Sequence, residues 1–200
     1  MTSTETAPPP PPAPPPPRRA DAERNRQKLI AAAREAFAEG GTATSLEEIA
    51  RRAQVGIGTL YRNFPNRQAL LEAVYVEEVQ GLCRSAADLA ERPPWDALVD
   101  WLHRFVAYMA TKQALAQELL AYVDRDASLF QSCRTELYTA GEPLLARAQD
   151  AGVVRADADF AEVIQMVGGI AKIPSTDPGQ VERILDMALD GLRYRRPDDS

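Results

Sequence analysis

Two cysteines, Cys83 and Cys133, and one histidine, His103, are all that 200 residues offer for thiol, disulfide or imidazole chemistry. Two cysteines so far apart make no disulfide framework, and one histidine excludes metal sites that need several. A nucleophile built from His103 and either cysteine would also need an orienting acid and a cleft. The cysteines therefore read as small core residues, His103 reads as a helix-surface or pocket side chain, and neither metal nor cofactor is expected. No apolar stretch approaches the roughly 20 residues a membrane helix needs, so no membrane partner is expected. The N-terminus lacks the basic-then-apolar order of a secretory signal, which makes the cytoplasm the expected compartment. Alternating runs of β-branched residues are missing, as are repeats with a period of about 20 to 50 residues. These absences exclude a sheet protein and a solenoid.

What is present is a chain that is 45% hydrophobic and 26% charged, enough for one domain of ordinary size or two small ones sharing a core. Its net charge of −6 argues at first against nucleic acid, but the charge is unevenly placed. Arg18 to Val74 holds 10 Lys/Arg against 7 Asp/Glu, while Tyr75 to Ser200 holds 13 against 21. A basic head on an acidic body fits a DNA-binding protein better than an acidic enzyme.

Nine of the sixteen prolines fall between Ala7 and Pro17. Residues 1–20 are expected to form a disordered, proline-rich arm, in polyproline II where proline is densest. Its end at Arg18 and Arg19 suits a minor groove or a phosphate backbone. Beyond it the pattern is helical. Leu29, Ala33, Ala36 and Phe37 fall on one face of a helix from about Asp21 to Glu39 that stops at Gly40-Gly41. Ser45 and Glu48 form a capping-box signature for a second helix. Asn66 caps a long helix to about Ala90, and Pro93-Pro94 breaks it before another near Trp95, with Leu98, Val99, Leu102, Val106 and Met109 on its stripe. Further helices are expected at 115–122, 128–150, 159–173 and 178–195. The fold class is all-α.

The informative stretch is Val55 to Phe64, directly behind the Ser45–Ala53 helix. Leu46, Ile49, Ala50 and Ala53 bury the second helix, and Val55 and Leu60 anchor a third on the same core. Ile57, Thr59, Tyr61, Arg62 and Asn63 are left outside. Arg can donate twice to guanine, Asn can read adenine, and Ile57 or the Thr59 methyl can meet a thymine methyl, so this face carries the vocabulary of a major groove. Thr59 and Tyr61 can also donate to phosphates. Gly56 and Gly58 cost helix stability, and in return leave the backbone clear for close approach. Thr44 and the Asn66-Arg67 helix start support the same orientation, because free N–H groups and a positive dipole end suit a phosphate. The alternative is a plain helical hairpin with Tyr61 and Phe64 as core aromatics.

With these residues in place, Arg26 to Val74 resembles the DNA-binding domain of the TetR/AcrR family of bacterial transcriptional regulators. The residues that carry the likeness are Leu29, Ala33, Phe37 and Gly40, then Thr44-Ser45, Ile49-Ala50 and Ala53, then Val55, Gly58-Thr59-Leu60-Tyr61, Phe64, Arg67 and Leu70-Leu71. The resemblance implies an all-helical homodimer of about nine helices, with a helix-turn-helix head (21–66) and a ligand-binding and dimerisation body (67–200). It implies repression of a double-stranded DNA operator, relieved by an unknown small-molecule effector. DNA contacts would fall on Thr44, Ile57, Thr59, Tyr61, Arg62, Asn63 and Arg67. Two positions depart from the family pattern: Gln54 stands in the turn where glycine is usual, and Arg67 replaces lysine.

The resemblance places a ligand pocket among the middle helices, where Trp101, Phe105, Tyr108, Met109, Leu119, Tyr122, Phe130, Leu137 and Met166 are the candidate lining residues. Gln117, Glu118, Gln165 and His103 are candidate polar handles. Phe160, Val163 and Val167 with Gly168-Gly169, together with Val181, Ile184, Leu185, Ala188, Leu189 and Leu192, form the apolar faces of a candidate four-helix dimer interface; sealing the chain's own core is the alternative. Two rival functions remain, a helical protein-interaction module and an activator of the same family.

Overall fold

The structure, a computed structural model, describes residues 17–40, 43–122, 128–174, 177 and 179–193. Among these residues eight helices follow one another: α1 (Pro17–Gly40), α2 (Leu46–Arg52), α3 (Ile57–Asn63), α4 (Arg67–Asp88), α5 (Pro94–Leu119), α6 (Ser128–Asp150), α7 (Phe160–Ile170) and α8 (Gln180–Asp190). The only extended pairing among them is an isolated bridge between Val154 and Arg193. The proline-rich segment up to residue 16 lies outside the described residues. Helix α1 starts at Pro17, four residues before the expected Asp21, so Arg18 and Arg19 fall in its first turn and not in an extended arm. Proline suits that place, because a first-turn N–H has no helical acceptor to lose.

Helix starts follow the side chains expected of them. Asn66 Oδ1 accepts the Ala69 N–H at 2.8 Å to open α4, and Asp159 Oδ1 accepts from Ala161 and Glu162 to open α7. At α2 only half of the capping box forms. Ser45 Oγ accepts the Glu48 N–H at 3.2 Å, but the Glu48 carboxylate turns to Arg51 and Arg52 at 2.7–2.8 Å. The segment 115–122, expected as a separate helix, continues α5 to Leu119 because no proline or glycine interrupts it.

One buried cluster runs from Leu29 in α1 to Leu192. Helices α1 to α3 form a small head, with Arg52 joined to Glu39 of α1 at 2.6 Å. Helix α4 packs on α1 and also on α5 and α6, so it belongs to the head and the body at once. In the body Trp101 is fully buried and donates its indole N–H to the Leu82 carbonyl at 3.2 Å. Gly141 of α6 makes this possible. A Cβ there would stand 2.4 Å from the Trp101 ring and 2.5 Å from Phe160.

Candidate functional site

The turn between α2 and α3 is where the sequence pays for its geometry. Gln54 has φ 56°, the left-handed region that favours glycine. This conformation lets the Val55 N–H reach the Ala50 carbonyl at 3.0 Å and sets α3 across α2. A helix of seven residues cannot persist on its own. Two buried anchors hold α3: Leu60 is 0% exposed and Phe64, its C-cap residue, 1%. The Arg26 guanidinium lies 4.8 Å from the Phe64 ring centroid.

The outward face is what this anchoring presents. Ile57 and Tyr61, four residues apart on one face of α3, are left 39% and 46% exposed side by side. Arg62 beside them is exposed and donates to Thr59 Oγ1 at 2.7 Å, and Asn63 Nδ2 donates to the Thr59 carbonyl at 2.8 Å. Thr59 thus organises the two side chains best suited to reading bases. A Cβ at Gly56 or Gly58 would meet nothing within 4 Å, so nothing among the described residues requires glycine at either place. Phe64 is core, as the hairpin reading allowed, but Tyr61 is not.

Two expected DNA contacts are engaged within the protein. Thr44 donates its hydroxyl to the Ala36 carbonyl at 3.3 Å. Arg67 donates to the Thr44 carbonyl at 2.7 Å and to Glu118 at the end of α5 at 3.3 Å, and its guanidinium lies 5.5 Å from the Phe37 ring centroid. Arg67 is thereby a tie between head and body. The neighbouring basic pair is also occupied: hydrogen bonds from Arg51 and then Arg52 hold the Glu48 carboxyl down at about 2.

The body holds a cavity of about 870 Å³ that opens to solvent. Of the expected lining, Phe105, Tyr108, Met109, Phe130 and Leu137 are there, with Gln117 and Gln165. Four expected residues do not line it. Trp101 and Leu119 are wholly within the core, Tyr122 stands 46% exposed beyond the end of α5, and Met166 lies off the α7 face formed by Ala161, Ile164, Gln165 and Gly168. Glu118 bonds Arg67, and His103 bonds Asp186 of α8 at 3.1 Å. The sequence reading missed Tyr75, Lys112, Arg134, Tyr138 and Lys172, all of which line the cavity. Lys112 carried a signal: it follows Phe105 and Tyr108 at helical spacing on an apolar face, where a lone lysine is out of place. Burial pushes the Tyr75 hydroxyl to about 12 and the Cys133 thiol to about 11, so both stay protonated at neutral pH.

The candidate dimer residues divide. Phe160, Val163, Val167, Leu185, Leu189 and Leu192 are buried in the chain's own core, and Val181, Ile184 and Ala188 are half-buried. No group of three or more His, Cys, Asp or Glu among the described residues is placed to hold a metal ion, and no described helix is long and apolar enough to cross a membrane.

Comparison with known proteins agrees with this arrangement. Residues 29–74 match the family description "Bacterial regulatory proteins, tetR family", and residues 93–194 match "Transcriptional regulator SbtR-like, C-terminal domain". The chain belongs to the TetR family of transcriptional regulators. A solved TetR regulator from Streptomyces coelicolor, SCO0520, is 42% identical with a TM-score of 0.76, over 86% of this chain and 99% of that one. A TetR regulatory protein from Mycobacterium vanbaalenii is 34% identical with a TM-score of 0.74, over 88% and 99%. The HTH-type regulator SrpR of Pseudomonas putida is 34% identical over 54% of this chain; the match spans 51% of SrpR, about half its length. As a TetR-family protein the chain is a DNA-binding transcriptional regulator and not an enzyme.

Proposed function

We propose that this TetR-family regulator acts in the cytoplasm as a homodimeric repressor of a palindromic operator and leaves the operator when a small molecule fills the cavity of the body. The observation that carries the reading is the α3 face. Ile57, Tyr61 and Arg62 are exposed on a helix whose other side is fixed by Leu60 and Phe64. In this reading Arg62 reads bases, with Ile57, Thr59 and Asn63 beside it, Tyr61 contacts phosphate, and Gly56 and Gly58 let the backbone come close. The head ends at Asn66, and α4 is the lever between head and body.

One α3 reads one half-site, so a second copy related by a two-fold axis is needed to span successive major grooves. The dimer face is drawn on the outer flank of α8, where Ile184, Met187, Ala188 and Gly191 follow at i, i+3, i+4 and i+7. Met187 is 67% exposed. Leu185 and Leu189 serve behind this strip as core.

Ligand response is routed through Arg67. Its partner Glu118 follows Gln117, a cavity-lining residue, and its other partner, Thr44, lies just ahead of α2. Among the described residues Arg67 Nη2 is buried without an acceptor, so this arrangement of the tie is held at a cost that a shift of α4 can relieve. An effector moves the equilibrium only as far as it prefers the shifted body.

An electrophoretic mobility assay on DNA upstream of the chain's own gene tests the reading. A salt-sensitive, sequence-selective shift is expected, and its absence on every nearby promoter removes the regulator's operator from that locus. Transcription that falls when the gene is deleted would make the protein an activator.

A further inference from the structure

The cavity of the body has a charge pattern opposite to that of its surroundings. From Tyr75 to Ser200 the sequence holds 13 Lys/Arg against 21 Asp/Glu. Yet Lys112 of α5, Arg134 of α6 and Lys172 just past α7 all line the cavity, and among the described residues no carboxylate does. Among the described residues none of the three forms an ion pair. Arg134 and Lys172 are exposed and stand where the cavity meets solvent, whereas Lys112 is half-buried. Its ammonium sits between two aromatic faces, 5.8 Å from the Tyr75 ring centroid and 5.4 Å from that of Tyr108. The π faces hold the cation in place, and among the described residues its donors have no counter-charge.

We propose that the cavity binds an organic anion with an apolar, ring-sized body, its acid group paired with Lys112 and its body laid among Tyr75, Phe105, Tyr108 and Phe130. This rests on the reading of the cavity as the effector site. Burial lowers the Lys112 pKa, as expected of an ammonium desolvated without a partner, and an incoming acid group restores the missing charge. Arg134 and Lys172 make the entrance basic and draw anions in from an otherwise acidic molecule. The neutral amides of Gln113, Gln117, Gln131 and Gln165 add polar groups to the wall without opposing the charge.

Two fluorescent probes separate charge from shape: anilinonaphthalene sulfonate, and phenylnaphthylamine, which has the same rings without the sulfonate. Titrated into the full chain, the sulfonate should bind at least about tenfold more tightly than its neutral twin. Lys112→Met should bring the ratio close to one, with Lys112→Gln as a second variant and thermal melting to show that each is folded. A neutral dye that binds as tightly as the sulfonate, or a ratio unchanged in both folded lysine variants, overturns the proposal. So does undiminished binding to Gly168→Phe, or to Ala161→Phe where the first does not fold, since each narrows the cavity. Adding operator DNA to the dye-loaded protein tests the underlying reading separately. A charge preference that depends on Lys112 with no change in DNA affinity supports anion binding and rejects the effector role.

Discussion

In the head, Ile57, Tyr61 and Arg62 stand outward on a helix of seven residues while Leu60 of the same helix and Phe64 at its end are buried. In the body, Phe105, Tyr108 and Lys112 turn inward from a helix of 26 residues toward a cavity walled also by α4, α6 and α7. The head keeps its chemistry outside because its ligand is larger than the domain; the body keeps it inside because its proposed ligand is smaller. A short helix cannot hold its shape alone, so DNA reading depends on two anchors a few residues from the reading face. The cavity depends on side chains far apart in sequence, held in register by close contacts such as Gly141 against Trp101.

The sharpest way to break this comparison is to remove a head anchor. Phe64→Ala should lower stability by about 3–5 kcal/mol in urea unfolding and abolish selective DNA binding even where the body stays folded. Retained selectivity would mean that α3 is held by something else. The body counterpart is Gly141→Val, whose added carbons enter the Trp101 and Phe160 rings. A loss of about 1–3 kcal/mol is expected, with the cavity disturbed before the head and read as weaker dye binding at temperatures where operator binding survives. Gln54→Gly should relieve the left-handed strain at φ 56° and raise the melting free energy by up to about 1 kcal/mol. Gly58→Ala has the smallest effect on folding, a gain below about 1 kcal/mol, because a Cβ there meets nothing. It should nevertheless weaken operator binding. Unchanged affinity would show that DNA does not approach the backbone at that point.

The same contrast explains what was legible in the sequence. Helix α3 could be read with its exposed and buried sides correctly assigned, because turn, anchors and reading face lie within one decapeptide and follow helical spacing. Gln54 stands out in the sequence only through the resemblance, as a departure from the glycine usual in that turn, and its φ of 56° bears out the strain expected there. The engagement of Thr44 and Arg67 within the protein is not legible in the sequence, because it depends on Ala36 and on Glu118, 51 residues from Arg67 in sequence. In the body, helical spacing marks which side of α5 is apolar, but Trp101 and Phe105 both lie on that side. Only the packing of α6 and α7 decides that Trp101 meets Gly141 while Phe105 meets the cavity. The apolar faces of α7 and α8 are ambiguous for a related reason. An apolar stripe states that a helix face is covered, not by what, and Leu185 and Leu189 are covered by their own chain.

The central claim is that the outward face of α3 reads DNA sequence. Fluorescence anisotropy with labelled DNA from upstream of the chain's own gene, against a scrambled duplex of equal length and at several salt concentrations, tests it most directly. The wild-type protein should prefer the upstream duplex by at least about a hundredfold, and Arg62→Ala should reduce that preference by about tenfold, losing more on the operator than on the scrambled duplex. A folded Arg62→Ala, Tyr61→Ala and Ile57→Ala set that keeps the wild-type preference would contradict the account.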